Sequence, residues 1–299
     1  MANIYSKWNQ GATYSCQSDI TELTDMPFFI KQNVFKKKYT GRRKNLPKDF
    51  SICEDEKMIL CILSAFRSIS RDQLRVALKM AGTKLSSTAF SGLIKKLIYF
   101  SIIEEVCLCY TADVDGQSIV RHKLKLIRTG RNGHLIGKTF GLKGYSIKQL
   151  AILKSSYRNH LANDLTDYVW SQIVIKSLMK SQSLMWFKMD RIMHLKGGMT
   201  VLIPLTIMTD SKQYLFEYII TNYEWEITCA LQKYEHIAHS QDSNFTLVHV
   251  LQSQNLKSID NVNKKIRDSP LDIVFTTVLE WYSKEAGSIH RISSEDFDF

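Results

Sequence analysis

The stretch of sequence that decides the fold is residues 54–128, which read EDEKMILCILSAFRSISRDQLRVALKMAGTKLSSTAFSGLIKKLIYFSIIEEVCLCYTADVDGQSIVRHKLKLIR. Three segments in it carry apolar residues at helical spacing, and two strand-like segments follow, joined by an Asp-Gly turn. Ser70 is a suitable N-cap for the second helix, RDQLRVALKM, which Ala81-Gly82 ends. Three helices and a hairpin in this order predict a winged helix-turn-helix domain.

The third helix of this stretch, SSTAFSGLIKKLIYF, starts at Ser86 or Ser87. Its apolar residues recur on one face and are predicted to point inward: Phe90, Leu93, Ile94 and Leu97. A recognition helix enters the major groove with its N-terminal residues, so polar positions near its start are candidates for contact with base edges and nearby phosphates. These candidates are Thr83, Lys84, Ser86, Ser87, Thr88, Ser91 and Lys95.

The hairpin alternates basic and apolar residues in its second strand, IVRHKLKLIRT. Such a hairpin is expected to act as a wing whose basic side chains hold phosphates, and Arg121 and Lys123 are the predicted contacts. The alternative is a helical bundle with a solvated charged face. We favour the winged helix because the order of the elements and the placement of the charges agree.

A basic segment, KQNVFKKKYTGRRKNLPK, precedes the first helix at residues 31–48 and contains eight basic residues and no acidic one. Its composition predicts an extended arm that follows the phosphate backbone or enters a minor groove. The arm residues predicted to contact DNA are Lys36, Lys37, Lys38, Arg42 and Arg43. A solvated linker is equally compatible with this composition.

The net charge of +11 is unevenly distributed. Residues 1–200 contain 32 basic and 15 acidic side chains, an excess of +17, whereas residues 201–299 contain 8 and 14, a net charge of −6. A basic excess confined to one part of a chain favours a polyanionic partner such as nucleic acid. An acidic membrane surface is the alternative, but no basic amphipathic helix with an aromatic face accompanies the charge.

The length of 299 residues and the hydrophobic fraction of 44% are those of an ordinary protein with two globular domains. No window approaches ~18 uninterrupted apolar residues, and the N-terminus lacks the apolar core of a signal peptide, which predicts a cytoplasmic protein without a membrane segment. The six cysteines are scattered, without zinc spacing, so neither a disulfide scaffold nor a metal site is predicted. The glycine-rich stretch 129–146 lacks a nucleotide phosphate loop and is interpreted as a connector, so no cofactor is expected.

The second half of the chain changes its periodicity. A helical pattern covers residues 146–181, either as one helix or as two that meet near Asn163, and is followed by the predicted order strand, strand, helix, strand, helix, strand. This order predicts a mixed sheet flanked by helices. The predicted divisions are an N-terminal extension with the basic arm (1–50), the winged helix-turn-helix domain (51–145), an α/β domain (146–290) and an acidic tail (291–299), so the whole chain combines α+β and α/β character.

The residues HLANDL at positions 160–165, followed by the aromatic-rich DYVWSQI, lie between the predicted wing and the α/β domain. This arrangement resembles the replication-relaxation family of plasmid and integrative-element proteins. The resemblance implies a DNA-binding winged helix joined to a domain of restriction-endonuclease-like fold, acting in the replication, relaxation or transfer of mobile elements. Replication or transfer proteins are therefore expected partners. Duplex DNA is the partner that the winged helix and the basic charge predict, and a second copy of the chain is expected because DNA-binding proteins commonly use paired half-sites.

An active nuclease of that fold needs an acidic residue on one strand and a Glu/Asp-x-Lys on the next, because two carboxylates hold Mg²⁺ while the lysine activates water. The segment GGMTVLIPLTIM has no carboxylate, and Glu217 is followed by Ile219 where the lysine would stand. We therefore expect an inactive nuclease-like domain and a protein that binds DNA without catalysis, in replication, transfer or transcription control. A metal-dependent endonuclease using Glu217 is the main alternative, and an adaptor that binds an acidic protein is a third.

Overall fold

The computed structural model describes residues 36–40, 46, 50–114, 117–142, 160–180, 184–219, 224–241, 244–251, 266–277 and 290–291. The described residues up to Ile175 form one compact unit, and the described residues from Lys176 onward belong to a second. The protein is of the α+β class, with a small antiparallel sheet in the first unit and a mixed sheet in the second. Among the described helices, none is long and apolar enough to cross a membrane.

The first unit consists of short helices and a four-stranded sheet. Its elements are β1 (Lys36–Thr40), α1 (Glu54–Ala65), β2 (Ile69–Ser70), α2 (Arg71–Met80), α3 (Ser87–Tyr99), β3 (Ile103–Val114), β4 (Gln117–Thr129), α4 (Arg131–Thr139) and the part of α5 (His160–Lys180) that ends at Ile175. The strand order is β1-β3-β4-β2, and all pairs are antiparallel. The pairing of Val114 with Gln117 leaves two residues for the predicted turn between β3 and β4, and both lie outside the described residues.

Local side-chain chemistry sets the start and end of α2, as the sequence predicts. The Ser70 hydroxyl accepts a hydrogen bond from the Gln73 backbone N–H at 3.1 Å, and the Gln73 side chain accepts one from the Ser70 N–H at 3.0 Å. This reciprocal capping box satisfies two N–H groups that a helix start leaves without partners. Gly82, just beyond the end of α2, has φ +87°, a conformation that glycine adopts without steric cost.

The three helices α1, α2 and α3 bury one apolar face each. The fully buried side chains include Ile59, Leu63, Phe66, Leu74, Leu78, Ile94 and Leu97, and Phe90 is nearly buried, whereas Leu93 is half-buried. Burial of each large aliphatic side chain contributes about 1.5–3 kcal/mol. The inward face of α3 is therefore as predicted, apart from the partial exposure of Leu93.

The sequence predicted a connector at the glycine-rich stretch 129–146. This prediction is wrong for the first half of the stretch, which forms the helix α4. The backbone of α4 lies directly against the turn at Ser101 and Ile102. A Cβ atom at Gly130 or Gly133 would come closer than 3 Å to a backbone carbonyl oxygen of that turn, nearer than real Cβ atoms approach. These glycines therefore permit close packing, which composition alone does not distinguish from flexibility.

Helix α5 is continuous through Asn163, so the described residues show one helix at the position where two were expected to meet. Residues 146–159 lie outside the described residues. The residues up to Ile175 belong to the first unit, whereas the sequence places a domain boundary at 145/146. The reason is a set of buried hydrogen bonds. Asp167 accepts from Arg67 and Ser68, and Gln73 donates to the Gln172 side chain at 3.1 Å.

The second unit is built on a six-stranded mixed sheet. Its elements are β5 (Leu184–His194), β6 (Thr200–Thr209), β7 (Gln213–Ile219), α6 (Glu224–Gln241), β8 (Phe245–Leu251), β9 (Asp272–Thr277) and β10 (His290–Arg291). The strand order is β10-β9-β8-β7-β6-β5. β5, β6 and β7 form an antiparallel meander, β7, β8 and β9 are parallel, and β10 is antiparallel to β9.

Helix α6 connects the parallel strands β7 and β8 and covers part of the sheet. Its buried residues Ile227, Leu231, Tyr234 and Ile237 belong to one apolar cluster with Leu215, Phe245, Leu247 and Ile273 from the strands. The predicted mixed sheet with helices is thus present. The sequence did not predict β5 or β10, and most of the helix expected at 256–269 lies outside the described residues.

Candidate nucleic-acid interface

Helix α3 lies at the surface of the first unit with one face open to solvent. Ser86 caps it, and the Ser86 hydroxyl accepts a hydrogen bond from the Ala89 N–H at 3.2 Å. Ser87, Thr88 and Lys95 are exposed on the face opposite the buried apolar residues. The helix is therefore available to a partner along its polar side.

The sequence around α3 carries positive charge only. Residues 73–103 contain five basic side chains and no acidic one: Arg75, Lys79, Lys84, Lys95 and Lys96. A surface of one charge sign attracts a polyanion over distances of about a Debye length, roughly 8–10 Å at ordinary salt.

The seven residues predicted to contact base edges and nearby phosphates lie in the turn before α3 and in the first two and a half turns of the helix. Lys84, Ser86, Ser87, Thr88 and Lys95 are exposed, and Thr83 and Ser91 are partly exposed. None of the seven is buried.

Arg75 of α2 is a residue near this segment that the sequence reasoning missed. Its Nη2 donates a hydrogen bond to the Ser87 hydroxyl at 2.5 Å, which joins α2 to the first residue of α3. The periodicity of α2 identifies only its buried face, so a polar residue beside the next helix gives no signal of its own. Its charge, within a segment that has no acidic residue, is the only hint in the sequence.

Lys96, the neighbour of Lys95, has a different environment. Its Nζ lies 2.7 Å from Oε1 of Glu56, whose side chain is fully buried, and 5.5 Å from the centre of the Phe50 ring. Lys96 therefore neutralises a buried carboxylate of α1. Both lysines are exposed, but only Lys96 of the two forms an ion pair within the part of the chain that the structure describes.

The β3–β4 hairpin is less uniformly basic than its second strand suggests. Arg128 binds Glu104 at 3.1 Å, and Lys125 lies 3.7 Å from Glu105, which also binds Arg71. Cross-strand pairs of opposite charge stabilise the base of the hairpin. Arg121 and Lys123 belong to β4, but their side chains lie outside the described residues.

The basic arm is only partly described. Lys36–Thr40 form the edge strand β1, in which Lys36 pairs with Cys109 and Lys38 pairs with Cys107 of β3. The segment is extended, as expected, but it is part of the sheet and not a separate arm, because its backbone groups bond to β3. The side chains of Lys36, Lys37 and Lys38, and all of Arg42 and Arg43, lie outside the described residues.

In the second unit, Glu217 of β7 meets a lysine that the sequence motif did not supply. Glu217 Oε2 forms an ion pair with Lys233 of α6 and accepts a hydrogen bond from the Tyr234 hydroxyl at 2.8 Å. Lys233 Nζ also donates to the Leu202 carbonyl at 3.3 Å. Helix α6 thus supplies a lysine to Glu217, whereas the nuclease motif would place that lysine two residues after Glu217 on β7.

His249 of β8 is the register partner of Glu217 and is fully buried. Burial, and secondarily the positive charge of Lys233, lowers the pKa of His249 to about 3. The imidazole is therefore neutral at physiological pH.

The neighbourhood of Glu217 does not form a metal centre within the part of the chain that the structure describes. No group of three or more His, Cys, Asp or Glu side chains there could hold a metal ion. The first carboxylate of the nuclease pattern is missing from β6, as its sequence indicates. Glu217 and Lys233 form a single ion pair at a sheet face.

Comparison of the chain with protein-family models, with curated proteins and with solved structures gives no match. The resemblance to the replication-relaxation family therefore stays a prediction based on the residues quoted above.

Proposed function

We propose that the first unit is a winged helix-turn-helix domain and that the protein binds double-stranded DNA in a sequence-specific manner, without catalysis. The observation that carries the proposal is the exposed polar face of α3, which lies within a 31-residue segment free of acidic side chains. The order of α1, α2, α3 and the β3–β4 hairpin is the order that a winged helix requires.

The chemistry of the exposed face suits the major groove. Serine and threonine hydroxyls donate to or accept from base edges, and lysine ammonium groups contact phosphates or guanine acceptors. Gly92 also lies on the exposed side of α3, where a Cβ atom would contact nothing within 4 Å. The absence of a side chain there allows the helix to approach a groove closely.

The proposed biological setting comes from the family resemblance and not from the geometry. It is replication, transfer or transcription control of a plasmid or another mobile element in the cytoplasm. Binding as a homodimer to paired half-sites, together with replication or transfer proteins, belongs to the same proposal.

A second candidate, a metal-dependent endonuclease, is favoured by one observation: Lys233 reaches Glu217 from α6. Two facts oppose it. Among the described residues, no group of three or more His, Cys, Asp or Glu side chains could hold Mg²⁺, which needs several oxygen ligands, and the Lys233 charge is already neutralised by Glu217. Incubation of the full chain with supercoiled DNA and Mg²⁺ or Mn²⁺ tests it, and cleavage that Glu217→Gln abolishes would replace our proposal.

The test of the proposed function is duplex binding over a series of salt concentrations. We expect the full chain to select a subset of fragments from a random duplex pool, and the logarithm of the affinity to fall linearly with the logarithm of the salt concentration. Failure to retain any duplex at low salt would overturn the proposal and favour an adaptor that binds an acidic protein. Binding without salt dependence would also overturn it, because phosphate contacts release counterions.

A further inference from the structure

Arg75 and Ser87 are joined by a hydrogen bond between two helices. The bond runs from Arg75 Nη2 to Ser87 Oγ, over 2.5 Å, and it connects residues that are twelve positions apart in sequence. Ser87 is exposed and Arg75 is partly exposed, so the pair lies at the surface that includes the start of α3.

Arg75 differs from three other arginines of the first unit, each of which binds a carboxylate. Arg67 binds Asp167, Arg71 binds Glu105 and Arg128 binds Glu104. Among the residues that the structure describes, no carboxylate lies within ion-pair distance of Arg75, and its guanidinium donates a hydrogen bond to the neutral Ser87 hydroxyl. No described carboxylate therefore neutralises its positive charge.

The donor and acceptor roles in this bond are fixed by chemistry. A guanidinium group only donates hydrogen bonds, so the Ser87 oxygen is the acceptor. The Ser87 hydroxyl hydrogen consequently remains available to donate to a third group. The guanidinium also has further N–H donors beyond the one that Ser87 uses.

Two donors held side by side, one of them charged, are complementary to the oxygens of a phosphate group. Arginine binds phosphate through two parallel hydrogen bonds more effectively than lysine does, because its planar fork matches the spacing of the oxygens. The bond to Ser87 holds that fork beside α3 before any ligand arrives, which reduces the ordering cost of binding.

We propose that Arg75 and Ser87 act as one phosphate-binding unit of the DNA-contacting surface, in which Ser87 orients Arg75 and both donate to the same backbone phosphate. The inference rests on the proposed function and changes the role of Ser87 within it. Ser87 then positions the protein on the duplex and does not read a base edge.

Three single variants, Arg75→Ala, Arg75→Lys and Ser87→Ala, and the double variant with both alanines test the unit. Arg75→Ala should weaken duplex binding roughly tenfold and reduce the slope of log affinity against log salt by about 0.9, since one phosphate contact is lost. Arg75→Lys should keep that slope but still weaken binding, because an ammonium group cannot form the fork. Ser87→Ala combined with Arg75→Ala should weaken binding by less than the sum of the two single effects, because the two residues act together.

Arg71→Lys is the matched control, since Arg71 lies on the same helix but binds Glu105. It should leave both the affinity and the salt slope unchanged, whereas Arg75→Lys weakens binding. Circular dichroism of each variant separates loss of folding from loss of contact. A second readout is base preference: Ser87→Ala should weaken binding to all selected duplexes equally.

The outcomes separate this inference from the proposed function. If the wild-type chain binds duplex DNA and Lys84→Gln reduces its salt slope while Arg75→Ala leaves the slope intact, the phosphate-binding unit is refuted and the proposed function stands. Additive effects of the two alanine substitutions, or a changed base preference in Ser87→Ala, would refute it as well. If the wild-type chain binds no duplex, both fail together.

Discussion

Arg67 and Asp167 lie 100 residues apart in the sequence and form an ion pair in which the arginine Nε donates to Asp167 Oδ2 at 2.7 Å. Only 11% of the Arg67 side chain and 4% of the Asp167 side chain are exposed. Ser68 donates to the same carboxylate at 3.1 Å, so the charges are both paired and hydrogen-bonded. This pair attaches α5 to the segment between α1 and α2.

Removal of one partner of this pair should destabilise the protein. Asp167→Ala leaves the Arg67 guanidinium buried without its counter-charge, and we expect a loss of about 3 kcal/mol in the free energy of unfolding, measured by urea denaturation. The control is Glu54→Gln, because the Glu54 side chain is 87% exposed in its ion pair with Lys57 and should change stability little. An Asp167→Ala midpoint equal to that of the wild type would contradict the assigned role.

The adjacent residues Lys95 and Lys96 should respond differently to the same substitution. Lys95→Gln should reduce the salt slope of duplex binding by about 0.9 and leave stability unchanged, because the Lys95 ammonium faces solvent. Lys96→Gln should lower the free energy of unfolding by about 1–3 kcal/mol, because Glu56 would remain buried without its cation. Salt titrations and urea denaturation of both variants measure the contrast, and an identical pattern in the two would show that the environments are wrongly assigned.

Glycine substitutions in α4 should separate close packing from helix propensity. Gly133→Ala places a methyl group against the Ile102 carbonyl and should destabilise the protein by about 1–3 kcal/mol. Gly137→Ala, one turn later, meets Leu142 at an ordinary 3.6 Å and should be neutral or stabilising, since alanine favours helix by up to about 1 kcal/mol. Thermal denaturation of the two variants provides the comparison. Equal stability would mean that α4 does not lie against the Ser101–Ile102 turn.

The buried His249 predicts a dependence of stability on pH. Its pKa is about 3 when folded and about 6.5 when unfolded, so between these values the unfolded chain binds more protons. Stability should therefore fall as the pH decreases from about 6.5 toward 3, by up to roughly 1.4 kcal/mol per pH unit from this residue, and no further below that.

His249→Gln should flatten this dependence, as measured by urea denaturation between pH 4.5 and 7. The exposed His239 provides the control, and His239→Gln should retain the wild-type profile. A His249→Gln profile as steep as that of the wild type would show that other groups cause the acid sensitivity.

Several elements could be predicted from the sequence because neighbouring residues determine them. The Ser70 cap and its partner Gln73 are three positions apart, and the apolar face of α3 repeats at helical spacing. The strands β6 and β7 and the short turn between them likewise follow from two short runs rich in apolar residues, separated by polar turn residues. In each case the signal lies within a few residues of the structure that it determines.

Strand β5 was not predicted because its alternation is broken. Phe187, Met189 and Met193 are buried at alternate positions, but the half-buried Arg191 occupies the position between them and the neighbouring Ile192 is exposed. Asp190 also has φ +48°, an unusual conformation for a residue within a strand. The identity of β5 as a strand depends on its pairing with β6, which no local pattern reports.

The sequence by itself determined α1, α2, α3 and the β3–β4 hairpin of the first unit, the strands β6 to β9 and the helix α6 of the second, the concentration of positive charge, and the missing carboxylate of β6. Only the tertiary structure decided which charges remain available to a partner. Lys96, Arg67 and Arg128 bind carboxylates that are distant in sequence, Arg75 reaches Ser87, and Lys233 reaches Glu217. The physical reason is that composition and periodicity record the charge and the face of a residue, whereas its partner is set by chain segments that meet only after folding.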